Sequence, residues 1–391
     1  MKKLILVLLA FITAGLLYAI WQRFKQTSAE PISSLITLPV EAGTDHFARA
    51  VEPGGISFPE DFGPHNDFQT EWWYYTGNLE NDDQRPFGFQ LTFFRRALPN
   101  SGDAQTAVPP EEPSRWTSNQ IYMAHFTISD IEEDQFYANE RLSRGVLGLA
   151  GAQSAPYRVW LSDWSVEKIS DDLVSLSAST GDVAVRLNLE QRNPPILHGI
   201  DGLSQKGPEP GNASYYYSIT GQGANGEIDI GATTYRVKGT VWKDHEYGTS
   251  ALVPDAVGWD WYSLQLDDGS ALMFFEIRRE DGSLEPLSSG TYIDPQGVST
   301  PLEFGDWQVD VLDQWTSLTS GATYPAAWTI SVPDIDLVLT GRPLMAGQEL
   351  NLSTTYWEGA VSFEGTVGDR PAAAKGYIEM TGYAEPLTGR F

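Results

Sequence analysis

The chain has 391 residues, no cysteine, and 25 Lys and Arg against 52 Asp and Glu, a formal charge of −27. Its length exceeds one ordinary core and implies two domains behind a leader, while the negative field repels phosphate backbones and excludes nucleic acid as a partner. The absence of cysteine excludes disulfides, thiolate metal sites, a cysteine nucleophile and a lipoprotein anchor, and 13 Trp with 12% aromatic residues favour aromatic-lined β structure over disorder.

Residues 4–20 form an apolar run, preceded by Lys2 and Lys3 and followed by Trp21, Arg23, Phe24 and Lys25. A spanning helix needs about 17 residues or more, and no A-x-A cleavage site follows, so residues 1–26 read as an uncleaved signal anchor, with a cleaved signal peptide as the alternative. Either places the remainder in the cell envelope, facing the periplasm, or exported. Residues 27–60, rich in Pro and Gly and without a sustained period, read as a tether.

Glu71-Trp72-Trp73-Tyr74-Tyr75-Thr76-Gly77 and the strictly alternating Phe87-Gly88-Phe89-Gln90-Leu91-Thr92-Phe93 predict a β-hairpin. Further strands are predicted at 121–129, 157–161, 173–177, 184–189, 215–220 and 234–242. The turn Asp267-Asp268-Gly269-Ser270 joins strands 261–266 and 271–278, the clearest hairpin of the chain, and strands at 307–312, 327–332, 337–339, 359–364 and 377–383 follow. Short, evenly spaced strands predict an all-β fold of antiparallel barrels able to close around a small ligand, one over 61–250 and one over 251–391, with the seam near 250–254.

Four stretches carry a resemblance: the Glu71–Gly77 motif, Trp242-Lys243-Asp244-His245-Glu246-Tyr247-Gly248, Gly258-Trp259-Asp260-Trp261, and Tyr356-Trp357-Glu358-Gly359-Ala360 with Gly376-Tyr377-Ile378-Glu379-Met380-Thr381-Gly382-Tyr383. Over about residues 58–383 the chain resembles the lipocalin-like AttH and carotenoid hydratase family, whose members also bear the label of secreted hydrolase. The resemblance implies two tandem lipocalin-like (calycin-type) barrels, the Asp-His motif closing the first and the tryptophan motif opening the second. It further implies water addition to an isolated carbon–carbon double bond, with the acid step on a carboxylate near the junction of the two halves. The family's Asp-His-x-Trp stretch falls on Asp244, His245 and Glu246, with Tyr247 in place of Trp. Its acid position, two residues beyond an aromatic, falls on Glu276 after Phe274, where the enzymes carry Asp.

Read as residues, His245 among Asp244 and Glu246 suits a tuned base or proton relay, or a hydrogen-bonded His at a junction. Glu276 shares a strand face with Leu272, Phe274 and Arg278, as a buried acid or an ordinary pair with Arg278. Trp242, Tyr247, Trp259, Trp261, Tyr262 and Phe274 are candidates to wall a pocket for an apolar ligand, or to pack where the barrels meet. Glu71 is expected to pair with Arg95 or Arg96. The five His show no close metal spacing, and no G-x-S-x-G elbow, P-loop or dinucleotide fingerprint is present, so neither metal nor cofactor is expected. The leading reading is an envelope-facing protein that binds an apolar small molecule or lipid and meets the membrane through residues 4–20. Its rivals are an active hydratase of an isoprenoid-like alkene, with Glu276 as acid and His245 as base or relay, and a structural or partner-binding module.

Overall fold

The structure, a computed structural model, describes residues 46–98, 118–249 and 252–388. The expected signal anchor and the first part of the tether lie outside the described residues. Among those described, no helix is long and apolar enough to cross a membrane.

The chain is all-β, two lipocalin-like barrels in tandem. The first holds β1 (Thr70–Asn81), β2 (Pro86–Ala97), β3 (Gln120–Asp130), β4 (Gln135–Arg144), β5 (Ala150–Ser154), β6 (Tyr157–Leu161), β7 (Trp164–Ser170), β8 (Leu173–Ser179), β9 (Val183–Glu190), β10 (Ile196–Leu197), β11 (Leu203–Gln205), β12 (Ala213–Ile230) and β13 (Thr233–Gly248). Its antiparallel order is β4-β3-β2-β1-β13-β12-β9-β8-β7-β6-β5, with β10 and β11 added to β12. The second holds β14 (Ala256–Leu266), β15 (Ala271–Arg279), β16 (Ser289–Ile293), β17 (Ser299–Glu303), β18 (Gln308–Thr316), β19 (Thr323–Val332), β20 (Leu337–Pro343), β21 (Glu349–Asn351), β22 (Thr355–Val367) and β23 (Arg370–Met380). There the order is β17-β16-β15-β14-β23-β22-β20-β19-β18, with β21 added to β22.

Successive side chains on a strand point to opposite faces, and this alternation builds three apolar layers from two sheets. Trp73, Tyr75, Phe89, Leu91, Phe126 and Val241 point into the first barrel. Tyr262, Leu264, Phe274, Trp328, Trp357 and Ile378 point into the second. Their strand neighbours Tyr74, Tyr216, Trp242, Trp261, Phe275 and Tyr377 meet back to back between the barrels. Polar bonds cross this seam as well: Asn78 Nδ2 donates to the Gly376 carbonyl at 2.9 Å and Ser129 Oγ to Gln348 Oε1 at 2.8 Å.

The predicted hairpins are β1–β2 and β14–β15. β12 runs well past its predicted end because a glycine-rich stretch over 221–226, which reads as a turn, continues the ladder, and β13 runs on to Gly248 between β1 and β12. Gly226 lies where a Cβ would fall 2.0 Å from the Arg186 carbonyl oxygen, so close strand approach, and not a turn, requires it. A bulge between Ile219 and Gln222 absorbs the register shift. The chain also packs earlier than the tether reading places it. The Ala48 amide donates to the Asp67 carbonyl at 2.8 Å, and Ala50 is buried against Leu203 and Ala213. Segment 57–68 then crosses the first barrel, where Phe58 and Phe62 set their rings against Tyr217 at 4.9 and 6.2 Å.

Candidate active site between the barrels

β13 carries the chemistry-bearing motif, and its pleat divides that motif between two environments. Lys243, His245 and Tyr247 turn into the first barrel, while Trp242, Asp244 and Glu246 turn to the seam. A cavity of about 140 Å³ opens there, with Tyr74, Tyr216, Asp244, Trp259, Trp261 and Glu379 in its wall. Both barrels build it: β1, β12 and β13 from one side, β14 and β23 from the other.

Asp244 is buried and accepts three hydrogen bonds. Tyr216 Oη donates to Oδ2 at 2.7 Å, Trp242 Nε1 to Oδ1 at 2.6 Å, and Ser218 Oγ to Oδ1. Trp261 Nε1 in turn donates to Tyr216 Oη at 3.0 Å, so a second-barrel side chain holds the phenol that holds the acid. Burial raises the Asp244 carboxyl to about 7 against the pull of these donors, and nearby Glu246 adds to the rise. Glu379, which accepts from Trp259 Nε1 at 3.2 Å, is also raised to about 7 by burial, with Asp244 and Glu246 contributing. Behind the wall, Glu358 accepts a hydrogen bond from the Tyr74 hydroxyl and another from Gln90 Nε2 at 3.0 Å, and burial beside Glu379 pushes it well up. The cation of the site, Lys206, pairs with Glu246 at 2.8 Å and sits 4.2 Å over the Phe275 ring. The result is an aromatic-walled cavity with two buried carboxyls, Asp244 and Glu379, raised towards neutrality.

Inside the first barrel a second network surrounds Glu71. Its Oε1 accepts from His245 Nε2 and His65 Nδ1, each at 2.8 Å, and its Oε2 from Arg95 Nε at 2.8 Å and the His65 amide at 3.0 Å. Burial alone would raise this carboxyl, but the Arg95 charge and the His245 and His65 bonds hold it well below the usual carboxylate range. Burial lowers His245 to about 4, so its ring is neutral at pH 7, donating from Nε2 and accepting Tyr217 Oη at Nδ1 across 2.9 Å. His65, Glu71 and His245 bring ligand atoms within 4.8 Å of one another, the group among the described residues most able to hold a cation. Both Glu71 oxygens are already occupied by donors, and Arg95 adds a positive charge, so the arrangement serves as a buried ion-pair network that ties segment 57–68 to β1, β2 and β13.

The sequence candidates therefore fall into three separate places. Asp244, Trp259 and Trp261 line the cavity, and Trp242 supports Asp244 from the same face. His245 and Tyr247 lie in the first barrel, Tyr247 stacked on His65 at 3.4 Å. Tyr262 and Phe274 stack on each other at 4.4 Å inside the second barrel, and Glu276 shares that interior face, accepting Trp307 Nε1 at 3.0 Å. The expectation that Glu276 and His245 face one cavity is not met, because the pleat turns Phe275 and Ile277 to the seam and Glu276 away from it. Nor does Arg278 pair with Glu276; its Nε donates to Asp260 Oδ1 at 3.2 Å. Burial beside Asp260 nevertheless raises Glu276 to about 7. Glu71 pairs with Arg95, one of its two expected partners.

Glu358, Glu379, Tyr74 and Tyr216 are the functional residues that the sequence reading missed. The first three stand in quoted motifs, and the signal was alternation: Glu358 is next to Trp357, which fills the second barrel, so it faces the seam.

Known proteins of similar build bear on this geometry. A Nitrosomonas europaea protein designated AttH (NE1406) is 34% identical, superposes with a TM-score of 0.75, and is matched over 86% of this chain and 100% of its own. Kievitone hydratase from Nectria haematococca shares the fold at a TM-score of 0.63 and 12% identity, over 87% of this chain and 98% of its own. Dehydratase asqC of Emericella nidulans is 22% identical over 226 residues, 55% of this chain; the chain spans 59% of that relative's length. Matched to the family over residues 49–383, nearly the whole of both barrels, the chain belongs to the AttH-like family.

Proposed function

We propose that this protein is a hydro-lyase that adds water to, or removes it from, a carbon–carbon bond of a neutral apolar molecule held between the barrels. The observation that carries this reading is Asp244, a buried acid balanced near neutrality on an aromatic-walled cavity. Alkene protonation needs an acid that keeps its proton at pH 7, a surface that tolerates positive charge, and a base for the incoming water. In the forward direction the Asp244 carboxyl gives its proton to one alkene carbon. The neighbouring carbon becomes cationic beside the Trp259 and Trp261 faces, water bonds to it, and the ionised form of Glu379 takes the water's proton. The similarity to a relative named a dehydratase agrees with this direction-neutral chemistry. A second reading, carriage of a lipid-like ligand without turnover, draws on the apolar wall supplied by Trp72, Phe94, Leu252, Phe275 and Ile277. Both readings set the protein in the cell envelope, tethered through residues 4–20.

Incubating the full chain in ¹⁸O-labelled water with a panel of neutral isoprenoid alkenes and the matching alcohols, followed by mass spectrometry, separates the two. Hydratase chemistry gives a labelled alcohol, and Asp244→Asn loses about a hundred- to ten-thousand-fold in rate while retaining binding. Binding without labelled product, together with a co-purifying lipid in organic extracts, leaves carriage as the function.

A further inference from the structure

His198 lies between the barrels but behind the cavity wall, and is buried at 2% exposure. Its Nε2 is 2.6 Å from Ser218 Oγ on β12, and its Nδ1 is 2.8 Å from Thr291 Oγ1 on β16. Ser218 Oγ is also bonded to Asp244 Oδ1. Four polar groups thus form a line from the second barrel to the acid: Thr291, His198, Ser218, Asp244.

A hydroxyl has one proton and a neutral imidazole has one, so the state of Asp244 fixes the direction of every bond in this line. With Asp244 ionised, Ser218 donates to it and accepts from His198, so Nε2 carries the proton and Nδ1 accepts from Thr291. With Asp244 protonated on Oδ1, the acid donates to Ser218, Ser218 donates to Nε2, and the imidazole proton stands on Nδ1, directed at Thr291. The other donors to Asp244 do not offer this reversal. The Trp242 indole N–H cannot accept, and Tyr216 Oη already accepts from Trp261 while directing its own proton at Asp244.

We propose that His198 is a positioning residue whose tautomer is coupled to the protonation of Asp244, the proton moving along Thr291, His198 and Ser218. The exchange balances with one proton taken up from solvent: Ser218 gives its proton to Asp244, Nε2 gives its own to Ser218, Thr291 gives its own to Nδ1, and a hydronium ion returns one to Thr291 and leaves as water; ionisation of Asp244 runs the same steps backwards. The ring stays neutral throughout, since burial, aided by the Lys206 charge that faces it, lowers His198 to about 3. Around Asp244 stand Glu246 and Lys243 from β13, Tyr74 from β1, Tyr216 from β12, Glu358 from β22 and Glu379 from β23. Their charges move the midpoint of the switch but do not change its direction. The relay rests on the acid role assigned to Asp244 above.

The test is a long-range ¹H–¹⁵N correlation spectrum of ¹⁵N-histidine-labelled full chain from about pH 5 to about pH 8. His198 is expected to show Nδ1–H at low pH and Nε2–H at high pH, the tautomer ratio inverting by about tenfold or more as Asp244 ionises. In Asp244→Asn, and in Ser218→Ala, the ratio becomes independent of pH. A wild-type His198 that keeps one tautomer across this range, or that titrates as an imidazolium, overturns the relay. The two claims fail separately. Labelled-water turnover with a fixed tautomer sinks the relay alone, and a switching tautomer without turnover on any substrate sinks the hydratase alone.

Discussion

Asp244 is held at an energetic disadvantage that its position makes unavoidable. Its folded value of about 7 stands above the 3.8 of an unburied aspartate, so folding favours the protonated form. Below about pH 4 this group costs nothing; as pH rises towards 7 the folded chain loses stability through it, by about 4 kcal/mol at most. Asp244→Asn is therefore expected to raise the melting temperature at about pH 8 and leave it little changed near pH 4, read by thermal scans at both. A gain of equal size at both values would remove the case for a buried acid whose ionisation the fold disfavours. Glu71 behaves oppositely. Its carboxyl is depressed, so the stability it supplies is complete above the unfolded value near 4.5 and is lost as pH falls below it. Glu71→Gln strands Arg95, fully buried, without its counter-charge and should cost about 3–5 kcal/mol in denaturant unfolding. Because donors already saturate Glu71, chelator treatment should leave the melting temperature unchanged; a fall restored by zinc would recast the His65, Glu71 and His245 group as a metal centre. The sequence left Arg95 and Arg96 open as partners of Glu71, and the strand register, with Glu71 opposite Arg95, decides between them; Glu276 shows what a local reading lacks. A carboxylate two residues past an aromatic looks the same in sequence whichever way its strand faces.

At the scale of elements, β13 explains most of what could and could not be read. The sequence reading ended this strand at 242 and took Asp244, His245 and Glu246 as one cluster, whereas β13 runs to Gly248 and its pleat parts them onto two buried faces. A strand with core on one side and a second protein layer on the other has no solvent face to reveal its register, and its polar residues read as one cluster. Lys243 is the clearest case, ringed by Phe62, Tyr157 and Tyr217 and lowered to about 7 by burial inside the first barrel. The hairpins β1–β2 and β14–β15 were legible because alternation and turn residues agree there. β4, partly exposed along its length, gave no such pattern. The two sheets approach closely at Gly88 on β2, where a Cβ would fall 2.7 Å from Tyr377 Oη and 2.9 Å from the Ala360 Cβ. Gly88→Val must wedge β2 away from β22 and β23 and is expected to cost about 1–3 kcal/mol. Urea unfolding measures this, and an unchanged midpoint would show that the seam yields without cost.

For the molecule as a whole, the seam is a third core shared by both barrels, and neither barrel is complete without it. Separating the chain near 250–254 exposes Tyr74, Tyr216 and Trp242 on one part and Trp261, Phe275 and Tyr377 on the other. At about 25 cal/mol per Å² of apolar surface, uncovering several such rings removes much of a domain stability of about 5–15 kcal/mol. The intact protein should unfold in one calorimetric transition, and the isolated first part should be unstable; two separate transitions would show the barrels to be independent. Deleting residues 1–26 is expected to give a folded protein that stays in solution, checked by sedimentation and circular dichroism. Asp244 and its phenol Tyr216 come from the first barrel and Trp259 and Trp261 from the second, so the proposed reaction would have no inheritance within either one. A lineage can relinquish the chemistry by exchanging a few seam side chains while both barrel interiors descend unaltered, and substitutions at Tyr216 and Trp261 should then be found to covary across the two halves of the chain.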